Sequence, residues 1–393
     1  MTDHALPLTG VRVLSLAEQL PGPVCGLLLR ELGADVTLLE RPGVGDPQRE
    51  VGTWLFRFAS LDKKSVALDL KDPLSRSAAQ GLAAEADVLV EGFRPGVADR
   101  LGLGYSELSA SNPGLVYCSI SGYGQTGPSR LLGGHNLNYE AVSGLLTPFA
   151  LDHRLSYFTE APPWGDVLSG VLSALAVVAA LRRAESTGHG TCIDLSITDA
   201  LVFAMGPSLT RHFNGGEAFD RREAGYGVFR CADGMLALGV HHEDHMWRAL
   251  CAALGLEAYD ALTHQQRLER ADEIRAAIVE AVAHDTVDHW LEALGDIAAC
   301  SRVNTVDDVA TDPQLMTRGM FAHATTETGE DFLTVRSPLA PSDSSPGAVP
   351  ALGADTRVVL ESLGLEPAVV DEIVAHSAEI ARRGGPRHSG DAG

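Results

Sequence analysis

The sequence predicts an α/β chain: a parallel sheet covered by helices, followed by a smaller α+β unit. Three observations carry this. Short β-branched runs alternate with helical periods over the first 120 residues, the pattern of strand–helix–strand repeats. A long helical period, Asp166–Arg183, leads into one more strand-like run. Past the middle of the chain, a hairpin signal precedes several helical periods.

Val11–Leu16 reads as the first strand and Pro23–Leu32 as the helix after it, with Leu27, Leu28 and Leu32 on one side. Asp35–Glu40 is the second strand. Ser65–Leu70, Asp87–Val90 and Leu115–Ile120 supply three more, with a helix over Leu74–Ala84 between the first two of these. In Asp166–Arg183 the apolar positions are Leu168, Val171, Leu172, Leu175, Val178 and Leu181, and Asp166 suits an N-cap or first-turn place. Gly188–Gly190 ends that helix and Thr191–Ile197 resumes as a strand. Residues 201–225 carry little periodicity and read as a linker. Val228–Arg230 and Met235–Val240 flank Cys231-Ala232-Asp233-Gly234 as a hairpin. Helical periods follow at Asp244–Leu254, Thr263–Val282 and Thr286–Leu294. Residues 336–350, rich in Pro and Ser, read as a second linker. Arg357–Leu363 and Ala368–Ala375 are closing helices, and Arg382–Gly393 reads as a disordered tail.

Composition narrows the function. Thirty basic residues against 52 acidic ones leave a net charge of −22. A field of that sign repels phosphate backbones, so no nucleic-acid partner is expected. An anionic small molecule would need a local basic pocket. Six cysteines, scattered and without a CxxC, predict reduced thiols in a cytoplasm. Met-Thr-Asp-His does not resemble the start of a signal peptide. The longest apolar stretch, Val167–Leu181, is broken by Ser169, Gly170 and Ser173 and is shorter than the roughly 20 residues of a membrane span, so it predicts a buried helix and no membrane partner.

Gly122-Tyr123-Gly124-Gln125-Thr126-Gly127 matches GxGxxG after a strand, but Pro128 follows and no convincing helix begins there, so a ligand loop at a strand end is the better reading. His241-His242-Glu243-Asp244-His245 invites a metal reading, with His241 and His245 four apart, but the run is not HExxH and no third ligand stands out, so no metal is expected. Neither a GxSxG elbow nor a Walker loop is present. Two positions remain. His135 follows the glycine loop, and Asp166 starts the long helix. Each alone is ordinary, the first as a loop histidine and the second as a cap. Together they are the residue types that move a proton at carbon, or the carboxylate alone could attack a thioester.

Gly10–Leu14, Leu32–Val36, Glu40-Arg41-Pro42, Lys64–Lys71, Glu91–Gly104, Asn112–Tyr117 and Ser121–Pro128 resemble, in order, the family III CoA-transferase (CaiB/BaiF) group, and Ala351–Thr356 resembles its C-terminal signature. That group holds CoA-transferases, with an aspartate nucleophile, and α-methylacyl-CoA racemases, with a histidine and the same aspartate as an acid/base pair. Gly134-His135-Asn136-Leu137-Asn138-Tyr139 is similar to the racemase segment Gly-His-Asp-x-Asn-Tyr, histidine included. Asn136 stands in place of its aspartate, Pro162 in place of an asparagine, and Val167–Gly170 is closer to a transferase.

The resemblance implies a racemase of 2-methyl-branched acyl-CoA thioesters, with a CoA-transferase as the alternative and a CoA-binding scaffold without chemistry as a third reading. It implies His135 and Asp166 as catalytic groups and Glu243 as an orienting carboxylate. Backbone N–H groups at Gly165-Asp166 would serve as an oxyanion site. Arg41 and Arg94 would meet CoA phosphates, with Ala59, Ser60, Leu61, Asp62, Lys63 and Lys71 adding contacts and Gly134, Asn136 and Tyr139 lining the substrate site. No cofactor beyond the CoA of the substrate is implied. The implied assembly is an interlocked homodimer. Residues 1–200, completed by 345–393, would form a Rossmann-like large domain, and 226–335 the small one.

Overall fold

A computed structural model describes residues 6–147, 162–215, 223–295, 297–341 and 344–383. They form two compact units, one of residues up to 207 with 318 onward, the other of residues 208–317.

The first unit is built on a six-stranded parallel sheet: β1 (Arg12–Ser15), β2 (Asp35–Glu40), β3 (Lys64–Ala67), β4 (Val88–Glu91), β5 (Val116–Ser121) and β6 (Thr191–Ser196). The spatial order is β3-β2-β1-β4-β5-β6. The chain therefore winds outward from β1 to one edge and returns to the other side of β1, the Rossmann-like arrangement with a crevice between β1 and β4. Val13 registers with Val36 on one side and Val88 on the other. Both faces are covered, so the strands read as apolar runs, and the two-residue period sorts neighbours to opposite layers. Val13, Val36, Val88, Val90 and Cys118 pack with α1 (Pro21–Glu31) and the long helix described below. Leu14, Leu39, Val66, Leu89 and Tyr117 face the other layer. That layer is Pro73–Glu85 and two C-terminal helices, Thr356–Ser362 and Pro367–Arg382.

The sheet edge at β3 is closed by the C-terminal signature. Ser65 N–H donates to the Asp355 carboxylate at 2.9 Å, and Ala67 N–H donates to Thr356 Oγ1 at 3.0 Å. Ser377 Oγ donates to the Ala67 carbonyl at 2.9 Å. Edge amides that would otherwise be open are thus paired.

Two helices position the site. α2 (Asn136–Ser143) follows the glycine loop, and α3 (Trp164–Thr187) crosses α1, β5 and β6. By length and composition α3 could span a bilayer. Its buried face starts with small residues, Ser169, Gly170, Ser173 and Ala174, and continues through Val177 and Leu181. A Cβ on Gly170 would lie 2.7 Å from the Pro21 carbonyl oxygen, so glycine lets α3 lie directly on α1.

The second unit holds an antiparallel sheet of β7 (Tyr226–Arg230), β8 (Met235–Gly239) and β9 (Cys300–Arg302). Its helices include Asp244–Leu254, His264–Glu269, Ala271–Val282 and Val287–Leu294, around a core of Phe229, Leu236, Trp247, Ile274 and Ile278.

Three expectations differ. The stretch 201–225, read as a linker, is largely helical over its described part, in Ile197–Ala204 and Gly206–Phe213. Ser196 caps the first of these by accepting from Asp199 N–H, and Ile197 and Leu201 bury its inner face. The single helical period Thr263–Val282 is two helices, divided at Arg270. The hairpin β10 (Phe321–Thr325) and β11 (Asp331–Val335), read as part of the small domain, belongs to the first unit, where Phe332 packs with Leu38, Phe56 and Leu61. The tail expected to be disordered lies almost wholly outside the described residues.

Candidate active site

A cavity of about 240 Å³ opens at the carboxyl ends of β1, β4 and β5, at the point where the strand order reverses. His135 and Asp166 both line it, with Gly134, Asn136 and Tyr139 beside them. The lining also includes Ala17–Gln19, Pro21 and Gly22 after β1, with Gly92 after β4 and Gly122 after β5.

The segment 134–139 holds His135 by its own short-range bonds. His135 N–H donates to Asn138 Oδ1 at 2.9 Å, and Tyr139 Oη donates to the Gly134 carbonyl at 2.6 Å. Asn136 Oδ1 accepts from Gly165 N–H at 2.9 Å and from Asp166 N–H at 3.3 Å, while its Nδ2 donates to Glu140 Oε1 at 2.8 Å. Asn136 thus caps α3 from another element, and ties the loop carrying His135 to the helix carrying Asp166. Tyr139 packs edge-on against Tyr123 at 5.2 Å. A Cβ on Gly122 would come within 2.3 Å of the Tyr139 ring, so glycine is required at the end of β5.

Burial pushes the Asp166 carboxyl up to about 7, and the charge of Glu140 pushes in the same direction. Near neutrality Asp166 can therefore either hold or accept a proton. Burial, with Asp166 nearby, raises the Tyr139 phenol to about 12, so it stays a hydrogen-bond donor.

Other implied contacts are placed differently. The Gly165 and Asp166 N–H groups are taken by Asn136, so they do not form the expected oxyanion site. Ala59, Ser60, Leu61 and Lys63 are buried. Lys63 Nζ lies under α1 and donates to the Pro23 carbonyl at 2.8 Å, and desolvation lowers its pKa to about 7. Asp62 accepts from Gly347 N–H at 2.9 Å and pairs with Arg30 at 2.6 Å. The side chains of this segment are thus engaged within the fold. Lys71 is exposed, and among the described residues it does not line the cavity. Arg94 is exposed beside the loop of His135, its guanidinium 3.1 Å from where a Cβ on Gly133 would stand. Arg41 follows β2 but is engaged with the Glu18 carboxylate at 3.2 Å and 3.4 Å. Glu243 belongs to the second unit, where its carboxylate accepts from its own N–H and that of His241 and is held below the ordinary glutamate value.

The wall at Ala17–Gln19 was not foreseen. Gln19 sits at φ +70°, rare for a residue with a side chain, and its N–H donates to Asp46 at 2.8 Å. Asp46 N–H in turn donates to Glu40, which Arg49 clasps at 2.8 Å through two nitrogens. A position after the first strand was the available signal, since ligands gather at strand ends.

The sequence profile described as CoA-transferase family III matches residues 8–356. The chain belongs to this family. Among family members, the succinyl-CoA–D-citramalate CoA-transferase of Chloroflexus aurantiacus is 30% identical over 386 residues, covering 91% of this chain and 94% of that one. The human α-methylacyl-CoA racemase is 29% identical over 379 residues, with the same coverages, 91% and 94%. A solved CaiB/BaiF family protein from Brucella suis superposes with a TM-score of 0.78 at 27% identity, over 92% of this chain and all of that one. Family III membership makes the chain an enzyme of the CoA-transferase/racemase superfamily.

Proposed function

We propose that the enzyme epimerises 2-methyl-branched acyl-CoA thioesters at Cα. One observation carries this reading: an imidazole and a carboxyl group with a pKa near neutrality, His135 and Asp166, line one cavity. The α-hydrogen of a thioester is weakly acidic, and inverting its carbon needs a base on one face and an acid on the other. Neutral His135 takes the Cα proton, and the C–H electron pair moves onto the thioester carbonyl oxygen. Protonated Asp166 then gives its proton to the opposite face of Cα, leaving imidazolium and carboxylate. Proton exchange with solvent resets the pair, and the reverse direction uses the same groups in exchanged roles. In this reading Arg94 and Arg41, the latter freed from Glu18, meet the CoA phosphates. Glu243 orients the imidazole from a second copy of the chain in an interlocked homodimer.

A second reading is favoured by relatives named as CoA-transferases. Ionised Asp166 attacks the thioester carbonyl, the C–S bond breaks, and CoA thiolate leaves an acyl–aspartyl anhydride. The thiolate then attacks the Asp166 acyl carbon, which releases the first carboxylate and leaves an aspartyl-CoA thioester. A second carboxylate takes the CoA by the reverse steps.

Incubation of a 2-methylacyl-CoA in D₂O without any acceptor acid separates the two. Deuterium at Cα with loss of optical purity supports the racemase. Absence of exchange, with CoA passing to an added carboxylate and hydroxylamine trapping Asp166, overturns it in favour of the transferase.

A further inference from the structure

The histidine-rich run at 241–245 contributes to a cluster that thioester chemistry does not use. Antiparallel pairing of β7 and β8 sets Tyr226 opposite Gly239, and Val240 N–H donates to the Gly225 carbonyl at 3.2 Å. This brings Glu223, just before β7, beside His241, just after β8. His264, the first residue of helix His264–Glu269, closes the group from a third segment, its backbone fixed by the Thr263–Gln266 capping pair. His264 Nε2 lies 2.6 Å from Glu223 Oε1, and His241 Nε2 lies 3.4 Å from the same oxygen. One ligand atom from each of the three residues falls within 4.8 Å of the others. Glu223 is buried at 8% exposure, and both imidazoles reach it from the more open side.

We propose that Glu223, His241 and His264 bind one divalent cation of the zinc class. Two imidazoles and one carboxylate are the donor set that zinc takes with a water in the fourth place. Tetrahedral ligands about 2.1 Å from an ion stand about 3.4 Å apart. The His241–Glu223 separation already has that value, the His264–Glu223 contact would open by less than about 1 Å, and the two imidazole nitrogens, which lie within 4.8 Å of each other, would close by no more than about 1.4 Å. The His241 Nδ1 contact with His242 Nδ1 at 3.1 Å involves the ring nitrogen on the far side from the carboxylate, where outer partners of ligating histidines sit. His245, in the same run, is outside the cluster. Bound there, the ion joins the start of β7, the end of β8 and the helix at His264, three segments of one unit that the sequence keeps apart. The inference is independent of which thioester reaction the other unit performs.

The full-length protein, stripped with chelator and re-dialysed against limiting Zn²⁺, tests it. Wild type and His245→Ala should each retain one zinc per chain by elemental analysis and melt at a higher temperature with zinc than without. His264→Ala and Glu223→Gln should weaken retention roughly tenfold or more and lose the thermal shift. Zinc held equally by His264→Ala, or none held by wild type, overturns the proposal. Because Glu223 is buried and its variant could fail to fold, Co²⁺ added to the wild-type chain supplies a readout without mutation. Intense tetrahedral d–d absorption supports the site, and the weak spectrum of hydrated cobalt overturns it.

Discussion

Two segments of the first unit, 134–139 and 59–63, were both implied to touch ligand, and the structure treats them oppositely. The first puts His135, Asn136 and Tyr139 on the cavity wall, and its polar side chains bond to its own backbone and to the start of α3. The second lies beneath α1, where Lys63 spends its ammonium on a carbonyl and Asp62 spends its carboxylate on Arg30 and Gly347. A charged residue in a motif is thus no guide to ligand contact until its partners are known. Charged groups taken out of water are costly unless paired, and Lys63 and Asp62 pair with what lies nearest.

The sharpest way to break this contrast is at His135. His135→Ala should lower Cα deuterium exchange by about 10² or more, the range of a lost acid/base group, while leaving the fold intact because the ring is exposed. Exchange at the wild-type rate would end the contrast. Asn136→Ala should cost about 1 kcal/mol of stability in denaturant melts by removing the cap of α3, and should lower kcat more than it raises KM. Asn136→Asp keeps the acceptor for the α3 amides but replaces the Nδ2–H donor to Glu140 with a second carboxylate oxygen, so it should recover only part of the lost stability. Its added charge beside Glu140 should move the Asp166 limb of the pH–rate profile further upward, a change that a purely structural role would not produce.

Lys63→Met tests the other segment. The Lys63 pKa is depressed from 10.5 to about 7, chiefly by desolvation, so between those values the folded state binds fewer protons than the unfolded chain and stability rises with pH. The variant should therefore gain stability relative to wild type at about pH 6 and lose most of that gain at about pH 10, with unchanged affinity for CoA. Weakened CoA binding would return Lys63 to the ligand site. The opposite pH trend is expected from Asp166→Asn in pH-dependent melts. Its raised pKa means the carboxyl's contribution is full below about 4 and is lost as pH rises through about 7, so the variant should compare best with wild type above that value.

Much of the fold was legible. The six strands announced themselves as β-branched runs because a parallel sheet buries both faces, and the Ala351–Thr356 signature pointed to a C-terminal return. Asp166 was legible as a first-turn residue of its helix, and His135 and Asp166, singled out together, line one cavity. The short helices at Thr53–Ala59 and Asn136–Ser143 were not, because seven and eight residues give too little periodicity to register. Nor was the wall at Ala17–Gln19, where the strained backbone of Gln19 depends on Asp46, 27 residues away.

What the sequence determined alone is the set of elements and the kinds of group available, since periodicity and residue chemistry are local properties. Tertiary structure decided which groups share a space: Asn136 on the Asp166 helix rather than an open oxyanion site, Lys63 under α1, and Glu223 with His241 and His264 rather than His241 with His245. Hydrogen bonds and burial act over a few ångströms in space, and chain separation says nothing about that distance until the packing exists.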